Sequence, residues 1–352
     1  IAPEKVLDIP GVKLVVGTNE RSRLVELVEF AIKKDEKVNM VNDIMEVRDF
    51  EELAIHNYKS RTRAFLKVQE GCDQYCTYCI IPYARGHIRS RKPESIIKEV
   101  VKLEENGFKE VVLTGIHVAS YGKDIGGTSL IDIIEQIHSI PGIERIRMSS
   151  VDPNAMTEEF IERIRVLPKI CRHFHISLQS GCNETLKRMN RKYTTEDYIR
   201  VVERLRAVFP EVAITTDLIV GFPGETDEEF EKTAAFVDKI SFSGMHIFKY
   251  SPREGTPAAK FKDQVKPQVK EQRSRIISEI ARKNEESFKK RFIGKRMQVL
   301  YEQAIGEKSL RYEGLTDNYI RVVSESHQDI KGKILETILL EPREDFVFGE
   351  IL

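Results

Sequence analysis

Gly71-Cys72-Asp73-Gln74-Tyr75-Cys76-Thr77-Tyr78-Cys79 decides the reading of this chain. It holds three of the five cysteines, spaced C-x3-C-x2-C. Three thiolates on one short loop can hold three corners of an iron–sulfur cube, leaving the fourth iron open to a ligand. An open metal position is where a substrate or cofactor can bind and react. A structural zinc site wants four ligands, commonly two C-x2-C pairs, and only one such pair is present. His87 or His117 could supply a fourth zinc ligand, so zinc stays open on spacing alone. A disulfide framework fits poorly, because the cysteine count is odd and the chain is long.

The strand Ala64–Val68 runs into this loop. From 62 to about 291, apolar strands alternate with amphipathic helices. The strands are 64–68, 110–114, 145–149, 173–177, 213–220 and 244–250. The helices are 93–106, 129–140, 157–167, 194–209, 227–240 and 266–291. Thr157 and Thr194 stand before acids, as N-caps do. Repeated strand–helix units imply right-handed crossovers and a parallel sheet. A closed barrel of eight units needs about 250 residues. Six units in this span predict an α/β fold of the open six-strand (β/α)6 kind, a partial TIM barrel. Ligands bind at the carboxyl ends of such strands, which is where the cysteine loop falls.

Two further regions flank this core. Residues 1–62 show a short strand near Leu14 and a helical pattern over 20–34, too little to enclose a core. The charged, aperiodic stretch 35–60 reads as a linker. Residues 292–352 carry short strands near 297–301, 319–323 and 334–338, and predict a small β-barrel.

The cysteine loop, with Tyr78 before its last cysteine, resembles the signature loop of radical S-adenosylmethionine (SAM) enzymes. The longer string from Gln69-Glu70-Gly71 to Ile80-Ile81-Pro82-Tyr83-Ala84-Arg85-Gly86, followed by Arg89-Ser90-Arg91, resembles the methylthiotransferase branch. It is most similar to the bacterial enzymes that methylthiolate N6-threonylcarbamoyladenosine in tRNA. The resemblance implies a [4Fe–4S] cluster on Cys72, Cys76 and Cys79, with SAM on its open iron. It implies hydrogen abstraction from C2 of adenosine 37 and sulfur delivery from an auxiliary [4Fe–4S] cluster. That second cluster is carried in the family by an N-terminal domain, of which 1–62 looks like the last part. No cysteine precedes Cys72 here, so its ligands cannot be assigned to this chain. SAM cleavage without completed methylthiolation is the expectation for these residues alone. The 292–352 region, through Gly314-Leu315-Thr316-Asp317-Asn318-Tyr319, resembles the RNA-binding TRAM domain.

Candidate SAM contacts follow from the strand ends. Tyr78, Gly115, Ser149, Gln179, Val220, Gly221 and Tyr250 all sit at or beside them. Gly221-Phe222-Pro223-Gly224-Glu225-Thr226 is a glycine turn opening a helix, which would leave N–H groups free. It is not a Walker loop, because no G-K-[ST] follows. The basic pairs Lys187-Arg188 and Arg191-Lys192 offer a partner for the SAM carboxylate, with Arg191 the candidate. Arg85, Arg89, Arg91 and Lys92 form a basic run suited to tRNA phosphates. Cys171 and Cys182 read as packed apolar residues. His173 and His175 face away from Phe174 and read as structural or RNA-facing.

The net charge is zero, so no global field draws nucleic acid and any affinity is local. No stretch reaches the ~20 apolar residues of a membrane helix. Few cysteines and no signal peptide pattern predict a reducing, cytoplasmic setting. Expected partners are the tRNA anticodon stem-loop, SAM and an electron donor such as flavodoxin or ferredoxin, acting on a monomer. Isopentenyladenosine is the alternative nucleoside, and a ribosomal protein a more distant one. A non-catalytic, metal-stabilised RNA-binding protein is the reading from another class.

Overall fold

The structure is a computed structural model, and it describes residues 2–34, 36–53, 62–306 and 310–352. In chain order, α1 (Pro3–Leu7), β1 (Leu14–Val16), α2 (Leu24–Lys34) and β2 (Val38–Met40) come first. β1 and β2 pair in parallel, so part of the expected linker is a strand. Residues 35 and 54–60 of that linker lie outside the described residues. The helix α2 buries only Leu27 and Ala31, while Val25 and Ile32 are 74% and 70% exposed. Its apolar stripe is therefore wider than this small layer covers.

The central part runs β3 (Arg63–Glu70), α3 (Ile81–Arg85), β4 (Arg89–Ser90), α4 (Pro93–Glu105), β5 (Glu110–Gly115), α5 (Leu130–His138), β6 (Arg145–Met148) and α6 (Glu158–Arg165). It continues through β7 (His173–His175), α7 (Asn183–Arg188), α8 (Thr195–Val208), β8 (Ala213–Val220), α9 (Asp227–Ile240), β9 (Gly244–Lys249) and α10 (Pro267–Lys290). The expected strands all form. They fall into a sheet β4-β3-β5-β6 and a sheet β7-β8-β9, joined by the parallel bridges Ile146–Ile170 and Val151–Ile176. Only the edge strand β4 is antiparallel. Among the described residues β4 and β9 remain edges, so this is a partial, open barrel.

Alternation explains its layers. In β3, Ala64, Leu66 and Val68 are fully buried towards the helices, and the residues between them face the lumen. The same rule sends Phe174 into the core and His173 and His175 into the lumen, as their spacing implies. Helix starts are fixed by capping boxes, Thr194 with Asp197 and Thr226 with Glu229.

The last five strands, β10 (Arg296–Ala304), β11 (Arg311–Thr316), β12 (Arg321–Glu325), β13 (Ile334–Pro342) and β14 (Val347–Ile351), close into a barrel ordered β10-β11-β12-β14-β13. Its own core includes Phe292, Val299, Tyr301, Val322 and Leu339. The barrel plugs the amino-terminal ends of the core strands. Arg145 donates to the carbonyls of Leu315 (3.0 Å) and Gln298 (2.7 Å), and Arg147 to that of Asp317 (3.0 Å). Tyr319 stacks on His173 at 4.3 Å between ring centroids. The Gly314–Tyr319 segment, singled out for its TRAM-like wording, is the end of β11 and the turn after it, and it docks onto the core.

Candidate functional site

The cysteine loop leaves the carboxyl end of β3. Gly71 has φ +74°, and a Cβ there would lie 1.8 Å from the His87 carbonyl oxygen, so only glycine passes. The Cys72 amide donates to the Gly86 carbonyl (3.1 Å) and the Cys79 amide to that of Cys76 (2.9 Å). These bonds fold the loop back on itself, with all three cysteines free thiols. Cys76 is buried, while Cys72 and Cys79 are half-buried. Burial pushes the Cys72 thiol up to about 11 and raises Cys79 as well. Metal must therefore displace protons to bind here.

A second segment clamps the loop. The Thr77 amide donates to the Met189 carbonyl (3.1 Å) and its hydroxyl to that of Arg188 (2.8 Å). The Asn190 side chain, on a residue with φ +61°, donates to the Tyr75 carbonyl (2.9 Å). Of the cations at 187–192, Arg191 reaches the cysteines. Its Nη1 lies 3.2 Å from Cys76 Sγ, its Nη2 2.9 Å from Asp152 Oδ2 and its Nε 3.0 Å from Tyr193 Oη. Arg188 pairs instead with Glu229.

Gln69 was not singled out by the sequence, yet it ties the site together. Its Nε2 donates to the carbonyls of Glu70 (2.6 Å) and Gly71 (2.7 Å), and its Oε1 accepts from the His117 amide (2.8 Å). Gly115 makes room for this amide, since a Cβ there would sit 2.9 Å from Gln69 Oε1. The alternation in β3 was the available signal, a polar residue at a fully buried last turn before the loop. Of the histidines considered as zinc ligands, His87 is paired with Asp73, its Nδ1 2.7 Å away. His117 Nδ1 bonds Ser120, while its Nε2, 4.0 Å from Asp152, is buried without a hydrogen-bond partner.

Four of the expected cofactor contacts converge. Tyr78 packs edge-on to Phe222 at 6.3 Å, and Phe222 edge-on to Tyr250 at 5.3 Å, with Val220 and Gly221 ending the strand beside them. The Tyr250 hydroxyl is buried without a hydrogen-bond partner, and so is that of Ser149. Such orphaned groups fit a polar ligand at the strand ends. Gln179 has φ +66° and bridges β7 to β8, its amide donating to Asp217 O at 2.9 Å. Its strained backbone is set by that bridge.

The glycine turn differs from expectation. The Gly221 amide donates to Glu225 Oε1 (3.0 Å), the Gly224 amide to Asp263 O (2.7 Å), and Thr226 caps α9. Its N–H groups are taken up internally, because the buried Glu225 is itself held by Arg273 at 2.7 Å. The basic run differs too. Arg89 and Arg91 are 4% and 7% exposed, and Arg91 pairs with Glu99 at 2.6 Å. They brace the loop and α4 instead of facing solvent. Arg85 is half-buried against Glu70 (3.1 Å), and Lys92 alone of the four is exposed. Cys171 and Cys182 are buried, 2% and 1% exposed, as packing residues are.

The lumen holds one more constellation. His175, Asp217 and His246, on β7, β8 and β9, place their ligand atoms within 4.8 Å of one another. His175 Nε2 is 3.3 Å from Asp217 Oδ2.

Comparison with known proteins gives three findings. The Radical SAM superfamily profile matches residues 66–237. Over its whole length the chain is 40% identical to the threonylcarbamoyladenosine tRNA methylthiotransferase MtaB of Bacillus subtilis, covering 78% of that protein. It is 36% identical, again over its whole length, to MtaB of Thermotoga maritima, covering 81%. Over 92% of the chain it is 40% identical to the tRNA-2-methylthio-N(6)-dimethylallyladenosine synthase of Acetivibrio thermocellus, covering 67%. Among solved structures, the apo form of the cobalamin-dependent SAM radical enzyme OxsB aligns over 82% of this chain and 42% of its own. The TM-score is 0.51 at 17% identity, a likeness of fold. No described helix is long and apolar enough to cross a membrane.

Proposed function

The chain belongs to the radical SAM tRNA methylthiotransferases, and from that premise we propose that it methylthiolates C2 of N6-threonylcarbamoyladenosine at position 37 of tRNA. The observation that carries the reading is the set of three cysteines on one loop at the carboxyl-end mouth of an open α/β barrel. Relatives named for the dimethylallyl nucleoside are as similar in identity as those named for the threonylcarbamoyl one. Both relatives matched over the whole chain carry the threonylcarbamoyl name, and Tyr83-Ala84-Arg85-Gly86 favours a tRNA over a ribosomal-protein substrate. Family membership removes the non-catalytic RNA-binding reading.

Cys72, Cys76 and Cys79 would hold a [4Fe–4S] cluster, and its free iron would take SAM. Together these supply one-electron reductive cleavage of SAM and, with it, a hydrogen-abstracting radical. The chain's own residues prepare the place. Gln69 and the 188–190 clamp fix the loop. Arg191 sets a cation against the Cys76 sulfur and ties it to Asp152 and Tyr193. Tyr78, Phe222 and Tyr250 form an apolar wall that excludes water, and the Tyr250 and Ser149 hydroxyls are free to meet the cofactor's polar groups. We assign 1–62 to the end of an N-terminal methylthiotransferase domain, 63–291 to the radical SAM core and 292–352 to a TRAM-like RNA-binding barrel. Lys92 and Arg85 are the tRNA contacts of the basic run, with Arg89 and Arg91 in a supporting role. The auxiliary cluster, a flavodoxin or ferredoxin donor, a monomeric state and a cytoplasmic setting complete the proposal by analogy with the family.

Anaerobic reconstitution with iron and sulfide, followed by SAM and dithionite, tests the chemistry. 5′-Deoxyadenosine is the expected product, and its absence defeats the assignment. Mass spectrometry of tRNA hydrolysates tests the substrate. A strain lacking the protein should lose 2-methylthio-N6-threonylcarbamoyladenosine, and an unchanged content of it contradicts the proposal.

A further inference from the structure

A partly open cavity of about 730 Å³, in the size range of small-molecule sites, runs from the lumen of the open barrel down to the docked C-terminal β-barrel. Its wall towards the mouth is unusually polar for a barrel interior. Thr114, Ser149, His175, Thr215, Asp217 and His246 all face it from successive strands. Two of these groups lack ordinary satisfaction within the protein. Ser149 Oγ and His175 Nε2 are buried without a hydrogen-bond partner, and His175 Nε2 meets only the Asp217 carboxylate across 3.3 Å. Thr215 Oγ1, 3.1 Å from His175 Nδ1, fixes that ring's orientation. His246 is exposed to the cavity, with its ring centroid 5.9 Å from that of His175.

We propose that His175, Asp217 and His246 determine specificity by receiving the polar N6 substituent of the target adenosine, an inference that rests on the tRNA reading above. Asp217 lies three residues before the end of β8, about 10 Å down the strand from the mouth. A purine whose C2 is held at the mouth, with its N6 edge turned down the barrel, would extend its N6 substituent towards this depth. The threonylcarbamoyl group carries urea N–H donors, a hydroxyl and a carboxylate. The urea N–H groups suit the Asp217 carboxylate, and the substituent's carboxylate suits N–H donors from His246 and His175. A dimethylallyl group has neither. Burying it here would strip water from the three side chains and leave them unpaired, the situation in which a polar site rejects an apolar analogue most strongly.

The test is binding, without turnover. Two anticodon stem-loops, identical except for the threonylcarbamoyl or dimethylallyl group at position 37, are titrated into the reconstituted chain. Fluorescence anisotropy gives their affinity ratio. The wild type should favour the threonylcarbamoyl form by at least about tenfold. His246→Leu and Asp217→Asn should each bring the ratio to within about threefold of one, and His246→Gln, which keeps a donor, should restore part of it. A preference that survives His246→Leu and Asp217→Asn in folded variants overturns the inference. A wild-type ratio near one with both RNAs bound overturns it too, while leaving the tRNA reading intact. If neither RNA binds, the tRNA reading itself fails. The titrations are repeated with EDTA. A preference lost on chelation would mean that the three groups act through a bound ion, and direct contact would be refuted.

Discussion

Replacing Arg191 by Met removes a side chain that joins the cysteine loop, Asp152 after β6 and Tyr193. Its guanidinium is 2.9 Å from Asp152 Oδ2, with side-chain exposures of 9% and 6%. At that separation and an effective dielectric constant near 20, the attraction is on the order of 6 kcal/mol before desolvation is subtracted. Breaking such a pair on one side leaves a buried charge uncompensated and costs about 3–5 kcal/mol. Asp152 would retain the Asn154 amide at 3.0 Å, which places the expectation at the lower end of that range. Asp152→Asn should recover part of the loss in the double variant, with a coupling of about 2–3 kcal/mol. Urea titration of the metal-free chains, followed by far-UV circular dichroism, gives all four corners of the cycle. Iron content after reconstitution is the second readout and should fall in Arg191→Met, because Cys76 loses the cation in contact with its sulfur. A loss below about 1 kcal/mol, or additive single effects, would refute the claim that this pair holds the loop.

Gly71→Ala should prevent the loop from closing, since its Cβ would overlap the His87 carbonyl, and should abolish iron uptake in a chain that still folds. Alanine at Cys72, Cys76 or Cys79 should abolish the reconstituted cluster, whereas Cys171→Ala and Cys182→Ala should leave iron stoichiometry unchanged. Glu110 is fully buried. Burial opposes its charge, but Arg147 at 2.7 Å and Arg145 hold its carboxyl below the usual range. The depressed value means that this stability is present above about pH 4.3 and is lost as pH falls through the folded value. Glu110→Gln should therefore flatten the acid limb of the stability profile, and at pH 7 it should cost about 3–5 kcal/mol by stranding Arg147. Denaturant midpoints between pH 3 and pH 7 check both effects.

Much of this architecture was legible because local signals agreed. Strands such as Ala213–Val220 carry uninterrupted apolar or β-branched runs, and Thr226 before Asp227-Glu228-Glu229 marks a helix start unambiguously. The cysteine loop was legible because its chemistry is compressed into eight residues. What escaped was carried by tertiary partners. Arg89 and Arg91 read as a solvent-facing basic run, but Glu99 and the loop carbonyls hold them inside. The glycine turn read as a source of free N–H groups, but Glu225, fixed by an arginine on α10, fills them. The β2 strand was too short to show periodicity. His175, Asp217 and His246 are dispersed over 72 residues. Alternation told which face each would take, but only the barrel brings those faces together.

The central claim is that the Cys72–Cys79 loop generates a radical aimed at C2 of the tRNA adenosine. A stem-loop bearing N6-threonylcarbamoyladenosine with deuterium at C2 tests it directly, using the reconstituted chain, SAM and dithionite. Mass spectrometry should find 5′-deoxyadenosine carrying one deuterium. Unlabelled 5′-deoxyadenosine, or none, would contradict it.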